Sequence, residues 1–125
     1  LAIIDQRDFK TNPLLESEIF GPYATVVMYD DTRIIEEYLK ECAGQLTCSV
    51  FYNNDSIISN QHLIDLAINK VGRMVINDVP TGVVVSKAMH HGGPYPASSD
   101  SRYTAVGSSS LFRFVRDVTI QKKII

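Results

Sequence analysis

A carboxylate and an aromatic side chain lie two residues apart in the segment "ESEIFGP", residues 16–22. Glu18 and Phe20 come directly before Gly21 and Pro22, which are typical residues of a stiff turn. By composition alone, Glu18 would be a surface acid and Phe20 a core residue. The spacing therefore raises the question of why a domain would present an acid and an aromatic ring together on a rigid turn.

Thiol chemistry is a second candidate. Cys42 falls on the apolar face of a predicted helix, and Cys48 falls within a predicted strand. Neither cysteine has a helix N-terminus or a nearby base to lower its pKa, as a nucleophile would need. Two cysteines in 125 residues do not make a disulfide framework. We interpret both as packed core thiols and expect a reducing, cytoplasmic setting.

Metal and phosphate chemistry are the remaining candidates, and both are weak. His90 and His91 are adjacent, but neighbouring residues rarely point to one ion, and no third ligand follows at a suitable spacing. We therefore predict no metal site. The segment "HGGPYP" is rich in glycine, but it lacks the Lys and Ser/Thr of a phosphate-binding loop.

Alternating strand and helix patterns would position these residues. Asp31 can cap the first helix, and Gly44 stands where a helix often ends. The alternation is typical of parallel βαβ crossovers, so we predict a three-layer α/β fold with a βαβαβ parallel sheet. The predicted elements are strands at 23–29, 45–52 and 73–77 and helices at 30–44 and 53–72. Their apolar faces are Ile34, Ile35, Tyr38, Leu39 and Cys42, then Ile57, Ile64, Ala67, Ile68 and Val71.

A long loop follows the third strand. Residues 78–101 are rich in Gly, Pro, Ser and His, and long loops in compact domains are often functional. Ligands of open α/β sheets bind beyond the carboxyl ends of the strands, so the loop that begins at Asn77 is a reasonable place for a site. A short helix at 108–115 and a final strand at 117–125 complete the prediction.

Composition excludes several classes of partner. The chain has the size of one domain and a formal net charge of -2, which gives no electrostatic footprint for nucleic acid or an anionic membrane. No apolar run approaches the length of a membrane span, and residues 1–10 do not resemble a signal peptide. We expect a protein that binds neither nucleic acid nor membranes.

Five segments carry a resemblance to a known family. Residues 12–22, "NPLLESEIFGP", resemble the Glu-x-Phe-Gly-Pro motif of the aldehyde dehydrogenase superfamily. The chain is similar to the C-terminal part of that family's catalytic domain over about residues 9–121. It is most similar to the branch that oxidises semialdehydes such as ketoglutaric semialdehyde (2,5-dioxopentanoate), and to related long-chain aldehyde enzymes. The other segments, in order, are "GQLTCSVF" (44–51), "GRMVINDVPTG" (72–82), "HGGPYPASSDSRYTAVG" (91–107) and "RFVRDVTIQ" (113–121).

The resemblance implies a cofactor role for the opening motif. In the family, the acid at the position of Glu18 accepts hydrogen bonds from the nicotinamide ribose hydroxyls of NAD or NADP. A carboxylate is an acceptor only, so one group can hold both hydroxyls of a vicinal diol. Phe20 would lie near the nicotinamide ring, and Gly21 and Pro22 would present the pair rigidly.

The resemblance also implies that the catalytic groups lie outside this chain. The family attacks an aldehyde with a cysteine thiolate, transfers hydride from the thiohemiacetal to NAD(P)+, and hydrolyses the thioester with a glutamate base. These residues and the glycine-rich cofactor domain precede the matching segment in the family. We therefore expect residues 1–125 to be a C-terminal piece of a longer enzyme, as the start at Leu1 without Met suggests. No catalytic residue is predicted here, and the isolated chain is expected to be inactive.

Substrate and partner roles follow from the same resemblance. Thr81, Gly82 and His91 fall at positions that line the family's aldehyde tunnel, and Gly82 and His91 replace aromatic residues of many relatives. A histidine suits a polar or carboxylated aldehyde better than a benzylic one. Residues 117–125 match the strand that pairs with a neighbouring subunit, which predicts a homo-oligomer. The alternative is an independent, non-catalytic binding or assembly module with the same fold; genomic DNA upstream of Leu1 would distinguish the two.

Overall fold

A computed structural model describes residues 1–124, and for residues 54–58 it describes the backbone alone. The chain divides into two compact units, Leu1–Glu41 and the part from Cys42 onward. Each unit contains one pair of parallel strands. The prediction of an α/β chain with parallel strands is therefore confirmed.

The first unit contains a parallel strand pair and an amphipathic helix, and none of its residues is fully buried. Strand β1 pairs with β2 in parallel, with Ala2 opposite Thr25 and Asp5 opposite Met28. The rings of Phe9 and Tyr38 pack at 5.4 Å between centroids. The elements are β1 (Ala2–Asp5), α1 (Gln6–Thr11), a 3-10 helix (Pro13–Glu16), β2 (Thr25–Met28) and α2 (Thr32–Glu41).

Helix α2 begins where the sequence predicts. The Oδ1 atom of Asp31 accepts a hydrogen bond from the Arg33 N–H at 2.9 Å, and the Asp31 carbonyl accepts one from Ile34 at 3.1 Å. Asp31 is thus the predicted N-cap, which satisfies donors at the helix start. The predicted apolar face is confirmed in part: Ile34, Ile35, Tyr38 and Leu39 are half-buried on α2. Cys42 is buried, but it lies beyond the end of the helix at Glu41.

The second unit contains a βαβ crossover. Strand β3 (Gln45–Val50) leads into α3 (Asn54–Ile68), which is kinked at Asn60, and then into β4 (Val71–Ile76). The two strands pair in parallel, with Gln45 opposite Val71 and Val50 opposite Ile76. The long connection after β4 follows, and a 3-10 helix (Ser108–Arg113) occupies the place of the predicted short helix.

The arrangement of strands differs from the prediction in one respect. The predicted strands at 23–29, 45–52 and 73–77 exist as β2, β3 and β4, but they belong to two two-stranded sheets rather than one sheet of three. The partner of β2 is instead β1, a strand of four residues that the sequence patterns did not predict.

The predicted final strand is not formed among the residues that the structure describes. Residues 117–124 join no ladder among the described residues, and Ile120 is 88% exposed. A strand needs a neighbouring strand to satisfy its backbone groups, and the resemblance assigned that partner to another subunit. Pairing with a neighbouring subunit stays a prediction.

The predicted stripe on α3 is only partly correct. Ile64 and Ala67 are buried as expected, but Ile68 is 53% exposed. Val71 belongs to β4 instead of the helix, because α3 ends at Ile68. The side chain of Ile57 lies outside the described residues.

Candidate functional site

The segment with Glu18 and Phe20 is held by a capped 3-10 helix before it and a tight turn after it. Asn12 Oδ1 accepts from the Leu14 N–H at 3.2 Å, and Ser17 N–H donates to the Leu14 carbonyl at 3.2 Å. Beyond Phe20, the Tyr23 N–H donates to the Gly21 carbonyl at 2.7 Å. This i to i+2 bond forms a γ-turn around Pro22, whose ring fixes the backbone. The predicted stiff turn is therefore present.

Phe20 is exposed on this turn. The residue is 93% accessible, so Phe20 does not belong to the core of the described chain. Glu18 is exposed as well, and its carboxylate makes no hydrogen bond or ion pair within the described part of the chain. An acceptor and an aromatic face are thus both accessible to a ligand. Their cofactor role stays a prediction.

In the second unit, Asn77 joins the carboxyl ends of the two strands. Its N–H donates to the Val50 carbonyl at 2.9 Å, and its Oδ1 accepts from the Tyr52 N–H at 2.8 Å. Asn77 has a φ of 52°, a left-handed conformation that asparagine tolerates better than most residues. The loop beyond Asn77 therefore leaves the sheet at the end where ligands of α/β proteins bind, as predicted.

Arg73 holds the loop that carries Thr81 and Gly82. Its Nη2 donates to the Pro80 carbonyl and its Nη1 to the Gly82 carbonyl, both at 3.0 Å. Nη1 also lies 3.9 Å from Met89 Sδ. Thr81 and Gly82 are exposed, so the loop presents them away from the strand that anchors it.

His91 lines a separate cleft of about 540 Å³. Its N–H donates to Thr104 Oγ1 at 2.9 Å, and its carbonyl accepts from Ala105 at 2.8 Å. Thr104 is buried, so it fixes the backbone of His91 from the interior. The cleft is lined by Leu46, His91, Gly92, Ala97, Ser98, Ser99, Asp100, Tyr103, Ala105, Arg113 and Phe114. Thr81 and Gly82 are not among these residues, so the structure does not bring the three predicted substrate residues into this one cleft.

The glycines next to His91 serve backbone packing. A Cβ atom on Gly72 would overlap the carbonyl oxygen of Gly92, and one on Gly93 would lie 2.5 Å from the Gln45 carbonyl oxygen. The segment "HGGP" therefore lies directly on the starts of β3 and β4. Such close approach of two backbones requires residues without a side chain.

Asp100 and Arg102 form a charged pair at the edge of the His91 cleft. Arg102 Nε and Nη2 donate to the carboxylate at 2.9 and 2.6 Å, and the Arg102 N–H adds a bond of 3.0 Å. These bonds stabilise the charged carboxylate and lower the pKa of Asp100 to about 2. The same pairing raises the pKa of Arg102. Both groups therefore stay ionised at neutral pH.

The cysteines have the character of packed thiols. Cys42 is buried, Cys48 is half-buried, and neither forms a disulfide among the described residues. Burial, and secondly the neighbouring Cys42, raise the pKa of Cys48, which is the opposite of what a nucleophile needs. The structure describes no cluster of three His, Cys, Asp or Glu residues suited to a metal ion. It also describes no helix long and apolar enough to cross a membrane.

Sequence reasoning missed Arg73 and Thr104. Arg73 carried a usable signal, since a charged residue inside the apolar run "RMVIN" is uncommon without a buried partner. Thr104 carried none, because its role depends on a contact across 13 residues that no local pattern encodes.

Curated relatives match most of this chain. It is 44% identical over 110 residues, 88% of the chain, to "Alpha-ketoglutaric semialdehyde dehydrogenase" of Acinetobacter baylyi. It is 36% identical over 94% of the chain to "Alpha-ketoglutaric semialdehyde dehydrogenase 2" of Azospirillum brasilense. It is 32% identical over 89% of the chain to the mitochondrial "Delta-1-pyrroline-5-carboxylate dehydrogenase" of Dictyostelium discoideum.

The match covers a small part of each relative. The chain spans 21%, 22% and 20% of their lengths, in the order given, or about a fifth. No protein-family model matches the chain.

Proposed function

Because this chain belongs to the aldehyde dehydrogenase superfamily, we propose that it is part of an NAD(P)-dependent enzyme that oxidises a semialdehyde to a carboxylic acid. The observation that carries the proposal is the 44% identity, over 88% of the chain, to a relative named for α-ketoglutaric semialdehyde. A second relative of that name, at 36% identity, supports the same substrate class.

Glu18 and Phe20 would hold the nicotinamide end of the cofactor. The fit is supported by the exposure of Glu18 and by the 93% exposure of Phe20, which lie two residues apart in the segment before the turn. Glu18 would accept hydrogen bonds from two ribose hydroxyls, and Phe20 would limit the positions of the ring. When bound, NAD(P)+ supplies the hydride acceptor of the reaction.

Thr81, Gly82 and His91 would contact the aldehyde. Thr81 has a hydroxyl on an exposed loop, and His91 lines a cleft with two serines and Arg113. The Arg113 guanidinium in this cleft could pair with a substrate carboxylate, which favours a carboxylated aldehyde over an uncharged aromatic one. The proposed substrate is therefore a short aldehyde with a carboxylate at its far end.

The remaining parts of the enzyme would come from outside residues 1–125. We propose that the nucleophilic cysteine, the glutamate base and the cofactor domain belong to the preceding part of the polypeptide. Residues 117–125 would pair with a neighbouring subunit to form a homo-oligomer. The exposed apolar side chains of Val118 and Ile120 support this second proposal, since a partner strand would cover them.

The test is an oxidation assay on the full natural polypeptide that carries this chain. We expect NAD(P)H formation with ketoglutaric and succinic semialdehydes at about 1 per second or faster, and slower turnover with benzaldehyde. The 125-residue chain alone is the control and should form no NAD(P)H. Absence of turnover by the full polypeptide would instead support a non-catalytic binding or assembly module.

A further inference from the structure

Arg73 is a charged residue on a strand whose other residues are apolar or glycine. It lies on β4, is half-buried, and points its guanidinium at the loop that follows the strand. We propose that Arg73 is a positioning residue that fixes Thr81 through the backbone on both sides of it. The effect on substrate rests on the proposed function, whereas the effect on the loop does not.

The hydrogen bonds of Arg73 lie on both sides of one residue, Thr81. The two terminal nitrogens of Arg73 donate to the carbonyls of Pro80 and Gly82, and Thr81 lies between them. Because the two donors belong to one planar, rigid group, they fix the orientation of the loop backbone as well as its distance from Arg73. Gly82 has a φ of 74°, a left-handed conformation that the carbonyl bond helps to maintain. The Thr81 backbone is thereby held at both ends.

The same guanidinium reaches the far side of the loop. Nη1 lies 3.9 Å from Met89 Sδ, so Arg73 contacts both ends of the segment between Gly82 and Met89. Within that segment, Val84 and Val85 are exposed and provide little packing of their own. Arg73 is therefore the contact at the base of a loop that otherwise has few anchors.

No acidic side chain that the structure describes bonds to this guanidinium. Among the described residues, the hydrogen-bond partners of the Arg73 side chain are the two carbonyls and the thioether, and its buried Nε–H has no acceptor. A half-buried charge that lacks its hydrogen bonds is destabilising, so loss of the loop carbonyls would be unfavourable. This dependence couples the loop conformation to the guanidinium. A lysine could keep the charge but could not bond both carbonyls in one plane.

The experiment compares Arg73→Lys and Arg73→Met with the control Arg7→Lys, a change at an exposed position on α1. The rate of trypsin cleavage after Lys87, an exposed residue of the loop between Gly82 and Met89, is measured in the full natural polypeptide. We expect about tenfold faster cleavage for both Arg73 variants, because the loop loses its hydrogen bonds to a charged group and opens more often. Arg7→Lys should leave this cleavage unchanged. Unchanged cleavage after Lys87 in Arg73→Lys and Arg73→Met would overturn the positioning role.

Kinetics test whether positioning acts through Thr81. Arg73→Lys should lower kcat/KM for ketoglutaric semialdehyde about tenfold in the native background and much less in a Thr81→Ala background. Equal losses in both backgrounds would overturn the proposed route through Thr81. If the unchanged polypeptide oxidises no aldehyde, the proposed function fails, and the cleavage measurement alone decides whether Arg73 positions the loop.

Discussion

The turn around Gly21 and the contact between Gly72 and Gly92 use glycine for opposite purposes. A Cβ atom on Gly21 would meet nothing within 4 Å, and the neighbouring Phe20 is exposed. A Cβ atom on Gly72 would overlap the backbone of Gly92. The first motif is open and its side chains are not part of the core, whereas the second is a close backbone contact inside the second unit. Glycine can therefore stand in an open, exposed turn in one region and permit a close backbone contact in another.

Because of this difference, mutations in the two regions should have different effects. Changes in an open turn remove few packing contacts, so they should alter ligand geometry more than the free energy of unfolding. Changes at a close backbone contact should do the reverse. Four predictions test this difference between the two regions.

The largest effect is expected at Glu18. Glu18→Gln keeps the shape of the side chain, but it removes the charge and replaces one acceptor with donors. Under the proposed function, the nicotinamide would be held less accurately, and small misplacements can cost about 100-fold in rate. A single-turnover experiment with a deuterated aldehyde and the full natural polypeptide should show a slower hydride step, with little change in the melting temperature.

The matched control for this prediction is Glu16→Gln, which changes the same residue type two positions earlier. It should leave the hydride step unchanged. If Glu18→Gln also leaves the step and its isotope effect unchanged, Glu18 is a surface acid and the functional interpretation of "ESEIFGP" is wrong.

The next effect is on stability and concerns Gly72. Gly72→Ala places a methyl group against the Gly92 carbonyl, and the backbone must move to relieve the overlap. We expect a loss of about 1–3 kcal/mol in the free energy of unfolding, the usual range for overpacking. Gly21→Ala, in open space, should change it by less than about 0.5 kcal/mol. Denaturant unfolding of both variants measures the difference, and equal losses would contradict the contrast between the two regions.

Local patterns predicted part of this fold. The Asp31 cap and the apolar face of α2 follow from residue types and helical spacing, and both are present. The packing role of Gly44 could not be read in the same way. The sequence suggested a helix end there, but α2 ends at Glu41, and a Cβ atom on Gly44 would overlap the Pro94 carbonyl oxygen. That contact spans 50 residues, so spacing along the chain does not encode it.

The candidate site, like the fold, could be predicted only where its contacts are local in sequence. The motif at 16–22 is continuous in sequence, so its stiff turn could be predicted from Gly21 and Pro22. The Arg73 contacts depend on where the chain returns after β4, which no periodicity specifies. Strand β1 was missed because four residues are too few for a clear alternation.

A smaller effect is expected at His91. The side chain lines the cleft of the second unit, so His91→Phe should make that cleft less polar. Under the proposed function, the ratio of kcat/KM for hexanal to that for succinic semialdehyde should rise by about tenfold, since specificity is a difference in transition-state binding. The control Tyr95→Phe changes an exposed residue that does not line the cleft, and it should leave the ratio unchanged. No change for His91→Phe would place this side chain outside the substrate site.

The smallest effect is a pH dependence at Asp100. Hydrogen bonds from Arg102 hold the pKa of Asp100 at about 2, below the ordinary value of 3.8. A carboxyl group whose pKa is lowered in the folded state stabilises the fold above its ordinary pKa, and this contribution is lost as the pH falls from 3.8 toward 2. The pair is exposed to solvent, so screening keeps the contribution small. In Arg102→Gln, the pKa of Asp100 should return toward 3.8, and this part of the acid sensitivity should disappear. The pKa is measured from the carboxyl carbon resonance of Asp100 as the pH is changed. The control Arg33→Gln breaks the corresponding pair with Asp31 in the first unit and should leave Asp100 unchanged. An Asp100 resonance that still titrates near pH 2 in Arg102→Gln would show that another group stabilises the carboxylate.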